Sequence, residues 1–208
     1  MTLVPPLLRE NITAVILAGG RARRMHGEDK GLIELLDRPL LDYIIAGLRP
    51  QVGSILVNAN RNLARYREFG YCVIEDILDN FCGPLAGMAT AMQAARTPLL
   101  LTLPCDSPFV PVHLVDTLYR AMTATGAEIS VAHDGERMQQ VHALLRCALL
   151  PDLLDYLDNG GRRVDTWYAQ HRMAMADFSA SPEGFLNLNI PQDKQVIEAM
   201  LAAARTIT

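Results

Sequence analysis

The sequence predicts one α/β domain, a mainly parallel sheet with helices on both faces and a single antiparallel excursion. Three observations carry this. Short apolar runs alternate with stretches of helical spacing along the 208 residues. The runs are apolar throughout, as in strands covered on both faces. The alternation breaks once, at the turn dipeptide Asp134-Gly135, with another apolar run close behind it.

The elements follow in order. Residues 1–10 hold two prolines and no long apolar run, which reads as a short frayed lead-in to a domain of residues 11–208. Ile12 to Leu17 is a β-branched strand that stops at Ala18-Gly19-Gly20. Pro39 to Leu48 has helical spacing, with Pro39 suited to a first turn. Ile55 to Asn58 is a strand, Leu63 to Phe69 a short helix and Cys72 to Glu75 a strand. Leu85 to Ala95 is a small-residue helix whose methionines, Met88 and Met92, serve packing. Leu99 to Leu103 is an apolar strand ending at Pro104-Cys105-Asp106. Val112 to Thr123 is a helix and Ile129 to His133 a strand. Past the turn, Val141 to Arg146 is a strand, and Leu149 to Leu157 is a helix stopped by Asn159-Gly160-Gly161. Met173 to Phe178 and Phe185 to Leu188 are short strands, and Gln192 to Arg205 is a final amphipathic helix.

The composition is that of an ordinary globular protein, half hydrophobic and one fifth charged. A net charge of −4 argues against nucleic acid as a partner of the whole surface. Nothing reads as a signal peptide or a membrane span. Cys72, Cys82, Cys105 and Cys147 form no CxxC pair, and the five histidines form no metal-ligand pattern. The cysteines therefore read as reduced thiols of a cytoplasmic protein.

In parallel sheets ligands bind beyond the carboxyl ends of the strands. That rule draws the exits Leu17 to Gly20, Asn58 to Asn60, Glu75-Asp76 and Pro104 to Asp106 to one crevice. The first exit runs on as Arg21-Ala22-Arg23-Arg24-Met25-His26-Gly27-Glu28-Asp29-Lys30. Gly19 and Gly20 let the backbone turn tightly and present N–H groups to a ligand. Arg21, Arg23, Arg24 and Lys30 add fixed positive charge, suited to a triphosphate. Neither the G-x-x-x-x-G-K-[ST] nor the G-x-G-x-x-G phosphate motif is present. The structural alternative is a solvated basic loop.

The stretch LAGGRARRMHGEDKGLIEL resembles the signature of the nucleotidyltransferases that act on sugar phosphates and similar acceptors. More narrowly, the chain is similar to the molybdenum cofactor guanylyltransferases. Further matches come in order: VNANR from Val57, VIED from Val73, GPLAGM from Gly83, LPCDSPFVP from Leu103 and FLNLN from Phe185. The resemblance implies a three-layer α/β/α Rossmann-like nucleotidyltransferase domain. Nucleotide would be bound by about residues 11–110 and acceptor by about 111–208. It implies that Leu17, Ala18, Gly19, Gly20, Asn58 and Asp76 contact the nucleotide, and Lys30 its phosphates. Gly83 and Gly87 would shape the wall around the base. Asp106 would bind nucleotide and a catalytic Mg²⁺, with Lys30, Asp106 and Arg24 as the catalytic set. Asn187 and Asn189, two apart in a strand, would share a face near the metal or the acceptor. Arg162 and Arg163 follow a glycine turn and either hold the anionic acceptor or are a solvated helix start.

Each residue also has a plainer reading. Asp106 stands where a buried carboxylate needs a partner, and a hard oxygen ligand for Mg²⁺ is one answer. Helix capping ahead of Ser107-Pro108 is the other. Asp76 is a nucleotide contact or a turn residue. Cys105 has no histidine placed to activate it and reads as packing.

The implied reaction is GMP transfer from GTP to the terminal phosphate of molybdopterin or Mo-molybdopterin, with release of pyrophosphate. Molybdopterin-delivering proteins and apo-molybdoenzymes would be partners. The alternatives are a related enzyme using CTP or a sugar-phosphate acceptor, and a catalytically idle nucleotide-binding regulator.

Overall fold

A computed structural model describes residues 6–20, 29–78 and 83–206. Nine strands, β1 (Ile12–Leu17), β2 (Glu34–Leu35), β3 (Arg38–Pro39), β4 (Ser54–Asn58), β5 (Cys72–Ile74), β6 (Leu99–Pro104), β7 (Ile129–His133), β8 (Met138–Arg146) and β9 (Met173–Asp177), are formed by the described residues. Seven of them make one sheet of order β5-β4-β1-β6-β8-β7-β9, and β2 and β3 make a separate hairpin. Only β8 runs against its neighbours in the large sheet. The Asp134-Gly135 turn delivers it between β6 and β7, which is the predicted excursion.

The helices are α1 (Pro6–Glu10), α2 (Leu40–Leu48), α3 (Leu63–Arg67), α4 (Pro84–Ala94), α5 (Leu114–Thr125), α6 (Leu150–Asp158), α7 (Val164–Tyr168) and α8 (Pro191–Thr206). They cover both faces of the sheet. One core joins Ile12, Ala14 and Ile16 of β1 to Ile44 of α2 and Leu118 of α5. The other joins Val15 of the same strand to Met88 and Met92 of α4, Leu153 of α6 and Trp167 of α7. Successive residues of one strand thus feed opposite cores, the alternation a central strand must show. Every residue from Ile12 to Ile16 is buried, which explains the unbroken apolar run.

Three predictions need correction. The lead-in is not wholly frayed, because Pro6–Glu10 is helical and Arg9 Nε donates to Val52 O at 3.0 Å. Pro39 precedes its helix rather than opening it, since its extended backbone belongs to the β2–β3 hairpin. Phe185 to Leu188 is not a strand. Pro182–Phe185 is a 3₁₀ turn, and Leu186 to Asn189, extended at Leu186, joins no ladder. Its backbone is tied to the β6 exit by Leu188 N, which donates to Asp106 O at 2.8 Å. Apolar content alone could not separate an unpaired tether from a paired strand. The helix α7 and the β2–β3 hairpin, five and two residues per element, went unpredicted for want of length.

Candidate active site

The exits of β5, β4, β1 and β6 lie side by side, as the strand order requires. A cleft of about 180 Å³ opens there, lined by Leu17, Ala18, Gly20, Asp29, Lys30, Pro104, Cys105 and Asp106. Leu17 is held on both sides. Its carbonyl accepts from Cys105 N at 3.2 Å, and the next amide, Ala18 N, donates to Asn58 O at 2.7 Å. The turn at Gly19 is thereby fixed between β4 and β6.

Two polar clusters flank this turn. At the β6 exit, Lys30 Nζ donates to Asp106 Oδ2 at 2.9 Å and to Asn189 Oδ1 at 2.8 Å. Ser107 Oγ donates to Asn187 Oδ1. Both asparagines are therefore set against Asp106 and its neighbour by this tether rather than by strand alternation. No helix starts at Ser107, since α5 begins at Leu114, so Asp106 is not a helix cap.

At the β4 and β5 exits, Asp76 is gripped from three directions. Asn58 Nδ2 donates to its Oδ1 at 2.8 Å, Asn60 Nδ2 donates to its Oδ2 at 2.7 Å, and Asp76 N donates to Asn60 Oδ1 at 2.9 Å. Asp76 is thus tied to a second strand exit and is more than a residue of its own turn. Glycines let this cluster close. A Cβ on Gly19 would lie 2.8 Å from Asn60 Nδ2, and one on Gly87 would meet Asn58 Oδ1 and lie 2.8 Å from Leu17 Cδ2. Gly83 opens α4, and its nearest neighbour in that sense is the Arg162 carbonyl.

A third set was not foreseen. The Asp29 side chain, 2% exposed, forms an ion pair with Arg61 and accepts from Asn62 Nδ2 at 2.8 Å. Asn60, Asp29, Arg61, Asn62 and Ser107 all escaped sequence reasoning. The strand-exit rule placed Asn60 at the crevice but gave it no role beyond that of Asn58. Asp29 was hidden among the charges of a basic loop.

Other predicted residues stand apart. Arg162 Nη1 donates to Leu157 O at 2.8 Å, at the C-terminal end of α6. Arg163 grips Asp165 through Nε and Nη2, at 3.1 and 2.6 Å, and this hydrogen bonding holds the Asp165 carboxyl down to about 2. Both side chains serve the α6–α7 connection. Arg24, with Arg21 and Arg23, lies outside the described residues. Burial first, then the charge of Asp106, pushes the Cys105 thiol up to about 12. That rules out a ready thiolate and agrees with packing.

The donor set fits a magnesium ion held mainly by substrate. Asp106 Oδ1 is buried without a hydrogen-bond partner, while Oδ2 carries Lys30. Among the described residues no group of three or more His, Cys, Asp or Glu side chains gathers as a self-sufficient metal site. Magnesium is commonly bound by one or two carboxylates plus substrate phosphates, and one free carboxylate oxygen beside the cleft fits that mode.

Comparison with known proteins shows the family. Residues 14–173 match the model of the MobA-like NTP transferase domain. The chain belongs to the MobA-like NTP transferase family. It is 49% identical over 191 residues to a molybdenum cofactor guanylyltransferase of Shewanella loihica, covering 92% of this chain and 97% of the relative. It is 46% identical, over the same shares, to one of Shewanella woodyi. The molybdopterin-guanine dinucleotide biosynthesis protein A of Archaeoglobus fulgidus has the same fold, with a TM-score of 0.77 at 16% identity over 92% of this chain and 99% of that one. The fold extends to a 2-C-methyl-D-erythritol 4-phosphate cytidylyltransferase of Thermus thermophilus, TM-score 0.66 at 18% identity over 90% and 98% of the two chains. The chain is thus a nucleotidyltransferase by family. Among the described residues no helix is long and apolar enough to cross a membrane.

Proposed function

We propose that this cytoplasmic enzyme transfers GMP from GTP to the terminal phosphate of molybdopterin or its molybdenum form, releasing pyrophosphate. The observation that carries this reading is the meeting of Lys30, Asp106 and Asn189 over the cleft at the β1 and β6 exits, in a chain whose relatives at 46–49% identity bear the name guanylyltransferase.

The nucleotide lies across residues of the first half, the acceptor against those of the second. Leu17, Ala18, Gly19 and Gly20 form the floor, Asn58 and Asp76 hold the nucleoside, and Gly83 and Gly87 leave room for the base. Asn187 and Asn189 approach from the acceptor side, with Arg162 and Arg163 farther along it. An oxygen of the acceptor phosphate attacks the α-phosphorus in line. The new O–P bond forms as the bond to the β-phosphate oxygen breaks. The attacking phosphate is anionic at neutral pH, so no strong base is needed. Catalysis then rests on positioning and on charge set in advance. Lys30 brings a compact positive charge to the phosphates, and Asn189 keeps it over the cleft. Arg24 joins it from the loop. Asp106 Oδ1 would hold Mg²⁺, which neutralises charge on the phosphates when bound.

The test is pyrophosphate release with GTP, Mg²⁺ and molybdopterin. Lys30→Ala and Asp106→Ala should each lower the rate by about 10²–10³-fold, the usual cost of one such contact. Near-normal rates in folded variants would sink the mechanism. Thermal-shift titration with GTP, CTP, ATP and UTP separates a guanylyltransferase from a cytidylyl- or uridylyltransferase. Binding without pyrophosphate release would mark an idle regulator.

A further inference from the structure

The five residues from Asn58 to Asn62 leave the sheet at one point and touch both walls of the cleft. Asn58 and Asn60 hold Asp76 on one side. Arg61 and Asn62 hold Asp29 on the other. The second grip is unusual in what it buries. The Asp29 side chain is 2% exposed, and a carboxylate there is costly unless it is paired. The Arg61 side chain is 39% exposed as a whole, but its Nε and Nη2 are buried, so the end that meets Asp29 is shielded from solvent. Asp29 immediately precedes Lys30 and also closes the turn that carries it, with its carbonyl accepting from Leu32 N at 2.9 Å. Fixing Asp29 therefore fixes where the Lys30 backbone starts, and with it the reach of Nζ to Asp106 and Asn189.

We propose that Arg61 is a positioning residue for Lys30, acting through Asp29, and so sets the contact between Lys30 and the triphosphate. The proposal rests on the reading of Lys30 as a phosphate ligand. A purely structural ion pair would stabilise the fold and treat all ligands alike. A positioning pair acts on the phosphates alone, and only while Lys30 is present.

The experiment is a double-mutant cycle on the full chain, with binding of GTP and of guanosine measured by calorimetry beside thermal unfolding. Lys30→Ala should weaken GTP and leave guanosine unchanged. Arg61→Gln should weaken GTP about tenfold, within the range of coupled neighbours, and leave guanosine unchanged. In the Lys30→Ala background, Arg61→Gln should add little. Arg61→Lys, which keeps the charge, should recover part of the loss. Additive losses, or equal weakening of GTP and guanosine, would overturn the proposal while leaving Lys30 a phosphate ligand. A silent Lys30→Ala would overturn that reading, and this proposal with it. Should Arg61→Gln unfold, Asp29→Asn, which keeps size and hydrogen bonding, enters the same cycle with the same expected outcomes.

Discussion

Asn58 shows how much one buried amide can carry. Its Nδ2 donates to Asp76 Oδ1 and, at 3.4 Å, to Ile74 O. Its Oδ1 lies against the hydrogen-only faces of Gly19 and Gly87. A methyl at position 87 has to displace both this amide and the end of the Leu17 side chain. Overpacking of this kind commonly costs about 1–3 kcal/mol. Gly87→Ala should therefore lose stability in that range in urea unfolding and, through the displaced Asn58–Asp76 contact, weaken GTP about tenfold by calorimetry. Unchanged GTP affinity in a destabilised variant would take Asn58 out of the nucleotide site. Asp106 was legible as a candidate because a carboxylate directly beyond an apolar strand has few structural uses, and Lys30 because it closes a glycine-led basic loop. The contacts of Asn60 and Arg61 were not. Their meaning lies in partners 16 residues ahead and 32 behind, Asp76 and Asp29, and spacing along a chain does not report contact across a sheet.

The elements were legible where both faces are covered, because burial on both faces leaves an unbroken apolar run. The run announces a strand but not its place, and nothing local put β8 between β6 and β7. Its insertion comes with a bulge that the sequence also concealed. Val131 pairs with Ala143 but Ala132 with Gln139, so Gln140, Val141 and His142 stand out of the ladder. Bulges of this sort are frequent beside active sites. Hydroxyls secure this one. Thr102 Oγ1 donates to Val141 O at 2.6 Å, and Tyr168 Oη donates to Gln140 O at 3.0 Å. Pairing of β6 with β8 stops at Thr102, so Leu103 and Pro104 run on toward the cleft bonded to β1 alone. Thr102 is fully buried. Thr102→Val keeps its shape and strands the Val141 carbonyl, at an expected cost of about 1–3 kcal/mol. Urea unfolding midpoints measure it, and equal midpoints would mean that the bulge is held by its backbone alone.

At the scale of the whole molecule, the same bulge ties stability to pH. It buries His142 at 1% exposure, edge-on to Phe185 with ring centroids 4.9 Å apart. Burial holds the imidazole down to about 3. An unfolded chain protonates this side chain near pH 6.5. Below that pH the unfolded state takes up a proton that the native state refuses, so stability falls as pH falls. The contribution is whole above about pH 6.5 and shrinks by about 1.4 kcal/mol per unit down to the folded value. Asp165, held near 2 by Arg163, acts in the same direction, but only once the pH approaches the unfolded carboxylate near 3.9. The window from pH 7 to pH 5 therefore isolates the histidine from it. Across that window His142→Leu should lose about 2 kcal/mol less than the native protein in urea unfolding. Parallel losses in the two proteins would mean that the buried imidazole charges without hindrance, and that the core around Phe185 admits water.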